Sequence, residues 1–202
     1  MPVRVKICGV TSVADAEAAV AAGADYLGVN FHPDSVRCVT REVARAIVAA
    51  AAVPVAGVFV DRPRAEIAAV AAEVGLAMLQ LHGDEAPDAC TGWDRPVIKA
   101  LRAAPGVDLP ALAATYAADY ILLDSWVPGR AGGTGVALDP SAARGLEPDR
   151  LFLAGGLRPE TVADAVRVVR PFAVDVASGV ESVPGKKDHG KLEAFIRRAK
   201  AA

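Results

Sequence analysis

Short runs rich in Val, Ile and Leu alternate eight times with longer alanine-rich segments, and this alternation limits the possible folds more than any other feature of the chain. The apolar runs at 3–8, 26–31, 55–60, 78–82, 97–101, 120–124, 151–154 and 173–177 have the length and composition of strands. Helical spacing predicts helices at 12–22, 41–51, 64–74, 85–90, 109–115, 140–144, 159–169 and 187–200, the fourth to sixth being faintly marked. Ser12 and Thr40 stand where helix N-caps belong, and Gly23 and Gly75 follow helix ends. Strands separated by helices pair in parallel through right-handed crossovers. An open doubly wound sheet is the alternative. The strands, however, recur evenly without a break into halves, and no Gly-x-Gly-x-x-Gly follows the first of them. The expected fold is therefore α/β: a single (β/α)8 TIM barrel, one domain over residues 1–202, compact beside the ~250 residues typical of that fold.

With 53% hydrophobic and 23% charged residues in 202, the chain can bury a sizeable core. A formal charge of −2 gives no general attraction to nucleic acid or to an anionic membrane. No apolar run is long enough to span a bilayer. The N-terminus leads directly into a strand without the basic and apolar regions of a secretory signal. The three cysteines, Cys8, Cys38 and Cys90, form neither a close pair nor a metal-type spacing. Reduced thiols in a cytoplasmic protein are the expectation.

Barrel enzymes carry their chemistry at the C-terminal strand ends. Cys8 closes the run Val3-Arg4-Val5-Lys6-Ile7-Cys8 and is followed by Gly9. Side chains alternate across a strand, so Val3, Val5 and Ile7 share the face that meets the helices, while Lys6 and Cys8 turn inward. By the same parity Asp175 points inward between Val174 and Val176. Closure makes the first and eighth strands neighbours, which brings Lys6 close to Asp175. His82 ends a face that begins with Met78 and Gln80, and Asp124 shares a face with Leu122, so Cys8, His82 and Asp124 ring one mouth. Taken alone, a cysteine in this place is more often a small buried apolar residue than a catalyst.

Three glycine turns follow late strands: Gly132-Gly133-Thr134-Gly135, Gly155-Gly156 and Ser178-Gly179. Glycine permits close backbone approach to an anion, and helix N-termini favour negative charge. Tight strand–helix turns would use glycine as well, but three such turns on one face favour a phosphate site. The remaining polar residues suggest no task. His32 and His189 read as loop histidines, Cys38 and Cys90 as inert, Asp84-Glu85 as complements of a helix N-terminus, and Lys186 and Lys187 as solvated charge or, alternatively, as charge close to the phosphate loop.

The motifs Lys6-Ile7-Cys8-Gly9, Gly57-Val58-Phe59-Val60, Leu79-Gln80-Leu81-His82-Gly83-Asp84-Glu85, Leu123-Asp124, Leu153-Ala154-Gly155-Gly156-Leu157 and Val174-Asp175-Val176-Ala177-Ser178-Gly179-Val180-Glu181 stand in order. With the Gly132–Gly135 turn and Pro184-Gly185-Lys186-Lys187-Asp188, they resemble the phosphoribosylanthranilate isomerases over essentially the whole chain. The resemblance implies a (β/α)8 barrel that rearranges an aminoaldose, N-(5-phosphoribosyl)anthranilate, to the 1-deoxyribulose ketose without cofactor or metal. It implies Cys8 as general base, Asp124 as general acid, and Arg37 as partner of the anthranilate carboxylate. Gly133, Thr134, Gly155, Gly156, Ser178 and Gly179 would hold the phosphate. His82 is expected to contact the substrate or satisfy backbone groups, and Asp175 to pair with Lys6 or to reach the ribose hydroxyls as well. Lys6, one layer below, is expected to favour the Cys8 thiolate.

Three positions depart from the family pattern: Val36 replaces a common proline, Ala177 a frequent serine, and Leu138-Asp139-Pro140 the usual Phe-Asp-Trp. The expected partner is a small phosphosugar, with no nucleic acid and no membrane, in a monomer or a homodimer. A histidine-pathway isomerase performs the same rearrangement but carries a carboxylate where Cys8 stands and shows a clearer half-barrel repeat. A non-catalytic phosphate-binding barrel would need the glycine turns but not both Cys8 and Asp124.

Overall fold

The computed structural model describes residues 2–126 and 138–202. Eight parallel strands close into a barrel: β1 (Arg4–Ile7), β2 (Tyr26–Asn30), β3 (Val55–Phe59), β4 (Met78–Leu81), β5 (Val97–Ala103), β6 (Tyr120–Ser125), β7 (Leu151–Leu153) and β8 (Ala173–Val176). Helices α1 (Val13–Ala21), α2 (Arg41–Ala50), α3 (Arg64–Val74), α4 (Leu109–Ala114), α5 (Val162–Val169) and α6 (His189–Lys200) surround it. Between β8 and α6 a small antiparallel hairpin is inserted, β9 (Glu181–Val183) and β10 (Lys186–Lys187). The closing seam pairs β1 with β8 and sets Lys6 opposite Asp175, as strand parity required.

Local chemistry accounts for most element ends. Ser12 Oγ accepts from the Asp15 amide at 3.1 Å, Thr40 Oγ1 from Val43 at 3.3 Å, and Gly75 closes α3 in the left-handed region at φ +79°. Two expected helices are corrected. Residues 85–90 and 140–144 hold only four-residue 3₁₀ turns, Pro87–Cys90 and Pro140–Ala143, each opening on proline. So short a segment cannot repay the cost of nucleating an α-helix. The last helix starts at His189, capped by the Asp188 carboxylate accepting from the Lys191 amide, so Lys187 belongs to the hairpin instead.

Parity sorts the side chains into two layers. Val5, Ile7, Leu27, Val29, Leu79, Leu81, Val174 and Val176 pack outward against helix residues such as Ala16, Ile47, Ile67 and Phe195. Met78, Ile98, Ala100, Leu122, Phe152 and Ala154 fill the barrel interior. Tyr26, Tyr120, Phe152 and Phe172 close its N-terminal end as one aromatic cluster, with the Arg4 guanidinium 4.4 Å above the Phe172 ring. The floor is thus packed and apolar, and the inward polar side chains open only toward the C-terminal ends of the strands. No described helix is long and apolar enough to cross a membrane.

Candidate active site

A cavity of about 710 Å³ lies at that C-terminal mouth. Cys8, Arg37, His82, Asp124, Gly155, Gly156, Asp175, Ser178 and Gly179 all line it. Of the residues expected to form a site, only Gly133 and Thr134 are missing from this set, because they lie outside the described residues. Cys8 stands at the end of β1 and Asp124 in β6, three strands away around the closed barrel. Among the described residues no group of His, Cys, Asp and Glu side chains is arranged to hold a metal ion.

Beneath Cys8, the Lys6 ammonium is fully buried and donates to Asp175 Oδ1 at 2.8 Å. Burial pulls the Lys6 pKa down, but Asp175 and the neighbouring thiol more than offset it, and Lys6 ends above its ordinary value. Cys8 behaves differently from the expectation. Burial pushes its thiol up, Lys6 and Lys187 pull it down while Asp175 pushes it further, and the net direction is up. Lys6 therefore acts in the expected direction but does not win, because its charge is shared with Asp175 and the thiol is poorly solvated. Room for the pair is made by Gly28, where a Cβ would come within 2.9 Å of Cys8 Sγ and 3.1 Å of Lys6 Nζ.

Across the cavity, Asp124 Oδ1 accepts from the Ser125 amide at 2.8 Å, and Oδ2 lies 3.5 Å from His82 Nε2. Gln80 Nε2 meets His82 Nδ1 at 2.8 Å. With Gln80 as donor the ring proton sits on Nε2 and faces Asp124. His82 Nε2 and Gln80 Oε1 are buried with no hydrogen-bond partner among the described residues. Of the two expectations for His82, service to backbone groups is not what its ring nitrogens do.

Arg37 is held on two sides. Its backbone amide donates to Ser35 Oγ, which in turn accepts from the Asn30 side-chain amide, both at 3.2 Å. These bonds fix the loop despite Val36. Its side chain crosses Gly9, where any Cβ would collide with Arg37 Cδ. Nε and Nη2 each donate to the Glu181 carboxylate at 2.7 Å. Glu181 also accepts from Lys187 Nζ at 3.0 Å. Lys187 is only 3% exposed, which corrects its reading as solvated charge: the hairpin folds it under the mouth. His189 likewise has a partner, Asp15, at 2.9 Å from its Nε2.

On the β7–β8 side, Gly155 and Gly156 adopt φ +83° and +64°, a backbone that L side chains rarely tolerate. Gly179 lies so close to the Leu157 carbonyl that a Cβ there would collide with it. Two turns of bare backbone therefore meet at one rim of the cavity. Gly28, Gln80, Glu181 and Lys187 were not singled out by sequence reasoning. Gln80, Glu181 and Lys187 did carry a signal, since each stands within a recognised motif.

A closed (β/α)8 barrel with a thiol, a carboxyl and bare-backbone turns around one cavity has the build of a barrel enzyme working by proton transfer on an anionic ligand. The family model for N-(5'-phosphoribosyl)anthranilate isomerase matches residues 5–198. The chain is 50% identical to the N-(5'-phosphoribosyl)anthranilate isomerase of Pseudomonas fluorescens, covering 96% of this chain and 97% of that one. It is 48% identical to the enzyme of Thiobacillus denitrificans over the whole of both chains. Among solved structures, phosphoribosylanthranilate isomerase from Thermus thermophilus superposes with a TM-score of 0.88 at 41% identity, covering 96% and 97% of the two chains. Another, in complex with reduced 1-(o-carboxyphenylamino)-1-deoxyribulose 5-phosphate, superposes with a TM-score of 0.86 at 40% identity, covering 99% and 100%. The chain belongs to the N-(5'-phosphoribosyl)anthranilate isomerase family, and its activity is that isomerisation in tryptophan biosynthesis.

Proposed function

We propose that Cys8 and Asp124 are the base and the acid of this isomerisation, with Arg37 and the β7–β8 turns holding the two ends of the substrate. The observation that carries the reading is that the thiol and the carboxyl, from the ends of β1 and β6, face one cavity above a packed apolar interior. Asp124 delivers a proton to the furanose ring oxygen, and the C1–O bond breaks to leave an iminium. The C2–H is then acidic, and the Cys8 thiolate takes it. The resulting enolamine gains a proton at C1 and loses the one on its C2 oxygen, giving the ketose with no net change in protons. His82 Nε2 and Gln80 Oε1, both buried and unpartnered among the described residues, are suited to the sugar's hydroxyls.

Phosphate fits the rim formed by Gly155, Gly156, Ser178 and Gly179, where backbone N–H groups can approach an anion without side-chain obstruction. Gly133 and Thr134 belong to this reading by motif. Asp175, tied to Lys6 through Oδ1, has Oδ2 left for a ribose hydroxyl. Arg37 reaches the anthranilate carboxylate with Nη1, which makes no hydrogen bond among the described residues. The free thiols of Cys8, Cys38 and Cys90 fit a reducing compartment such as the cytoplasm.

The test is to follow loss of anthranilate-type fluorescence as purified protein consumes phosphoribosylanthranilate, beside Cys8→Ser and Asp124→Asn. Each variant is expected to fold and to lose on the order of 10²–10⁴ in kcat. Full turnover in Cys8→Ser would end the assignment of the base, and full turnover in Asp124→Asn that of the acid.

A further inference from the structure

An arginine clamped along one edge by a bidentate carboxylate forms a neutral pair and offers little net charge to a second anion. Arg37 is in that position, with Nε and Nη2 both committed to Glu181. What distinguishes this site is a third charge. Lys187 Nζ donates to Glu181 at 3.0 Å, to the Cys8 carbonyl at 2.7 Å and to the Ala177 carbonyl at 3.1 Å. Three acceptors use three N–H protons, which an ammonium has and a neutral amine lacks. The cluster therefore holds two positive charges and one negative charge. Lys187 and Glu181 are 3% and 7% exposed, so bulk salt screens them poorly.

We propose that Lys187 is a positioning residue for carboxylate recognition: its buried ammonium offsets Glu181, so that Glu181 can orient Arg37 without cancelling its charge toward the substrate. This rests on the reading of Arg37 as partner of the anthranilate carboxylate. Burial and the nearby Arg37 cation keep the Lys187 pKa below its ordinary value. The Glu181 carboxyl, pushed up by burial but pulled down more strongly by Arg37 and Lys187, also lies below its ordinary value. The Glu181 direction suits a triad that keeps its carboxylate ionised, while the Lys187 direction is the cost of burying an ammonium beside a second cation. The competing role, a neutral strap joining the ends of β1 and β8, needs the same carbonyl contacts but not the charge.

The experiment measures binding of reduced 1-(o-carboxyphenylamino)-1-deoxyribulose 5-phosphate, and of the same molecule without its carboxylate, by calorimetry. The proteins are the parent chain, Arg37→Ala, Lys187→Met and Lys187→Met/Glu181→Gln, each checked for folding by its melting curve. Lys187→Gln replaces the Met variant if that does not fold. Lys187→Met leaves the triad neutral and is expected to weaken binding of the carboxylate ligand about tenfold, in line with one unit charge several ångströms away in a partly dry site. The double variant restores one net positive charge and is expected to regain most of that loss. The ligand without a carboxylate should bind all the folded proteins within about twofold of each other.

A double variant as weak as or weaker than Lys187→Met, or equal losses for the two ligands, overturns the inference. Arg37→Ala binding as well as the parent overturns the reading of Arg37 and this inference with it. Loss in Arg37→Ala with none in Lys187→Met overturns the inference alone.

Discussion

Replacing Lys6 by Met removes an ammonium that is 0% exposed and 2.8 Å from Asp175 Oδ1. Two unit charges that close attract by roughly 6 kcal/mol at an effective dielectric of about 20. Desolvation of both ions offsets much of that gain, so the intact pair contributes far less than its attraction. Breaking the pair is another matter, because the Asp175 carboxylate, 8% exposed, remains in the barrel without its partner. The expected cost is about 3–5 kcal/mol, a large share of the ~5–15 kcal/mol that stabilises a typical domain. For a chain of this length each kcal/mol lowers Tm by about 2–4 °C, so the variant should melt roughly 6–20 °C below the parent.

Urea unfolding followed by circular dichroism is the assay, with the midpoint falling and the slope unchanged. Lys6→Met/Asp175→Asn leaves no buried charge and should regain at least half of the loss. Activity is not the readout, since Asp175 faces the proposed sugar site. A cost below about 1 kcal/mol for Lys6→Met, or a double variant as costly as the two single ones combined, would refute the buried-pair account.

Gly28→Ala places a methyl 2.9 Å from Cys8 Sγ and 3.1 Å from Lys6 Nζ. It is expected to destabilise by about 1–3 kcal/mol through overpacking and to reduce kcat through the displaced thiol. Denaturation and steady-state kinetics check the two effects separately, and wild-type values for both would mean that the space beneath the base is not limiting. The pH dependence follows from Cys8, whose thiol burial holds above the ordinary ~8.5 despite Lys6 and Lys187. A base must be deprotonated, so kcat/KM should climb with pH along a limb centred above that value. By linkage, folding favours the protonated thiol, so this group's contribution to stability is full below the ordinary thiol pKa and is lost as pH rises through the folded one. A rate limb centred below the ordinary thiol value would contradict the burial of the base.

The barrel was legible in the sequence because its signals are local. Period-two runs, alanine-rich helical stretches and polar N-caps each act within a few residues, and the interior and exterior layers follow from side-chain alternation. The same alternation, added to ring closure, brought Lys6 to Asp175 across the whole length of the chain. Helices were overcalled at 85–90 and 140–144, where only four-residue 3₁₀ turns form, since a faint pattern cannot report whether nucleation succeeds.

At the cavity the two levels divide. That Cys8, His82, Asp124 and Asp175 sit at inward strand positions was determined by sequence alone, because pleating leaves no other choice once the register is set. Whether a lysine in a glycine-bounded turn is solvated or buried was not, because burial depends on which distant segments cover it. Lys187 lies beneath the mouth because the hairpin folds back onto the ends of β1 and β8, donating to the Cys8 carbonyl 179 positions away. Glu181 met Arg37 across 144 positions for the same reason. The thiol's raised pKa also had to await the structure: sequence supplied the cation beside it, and only packing decided that desolvation outweighs that cation.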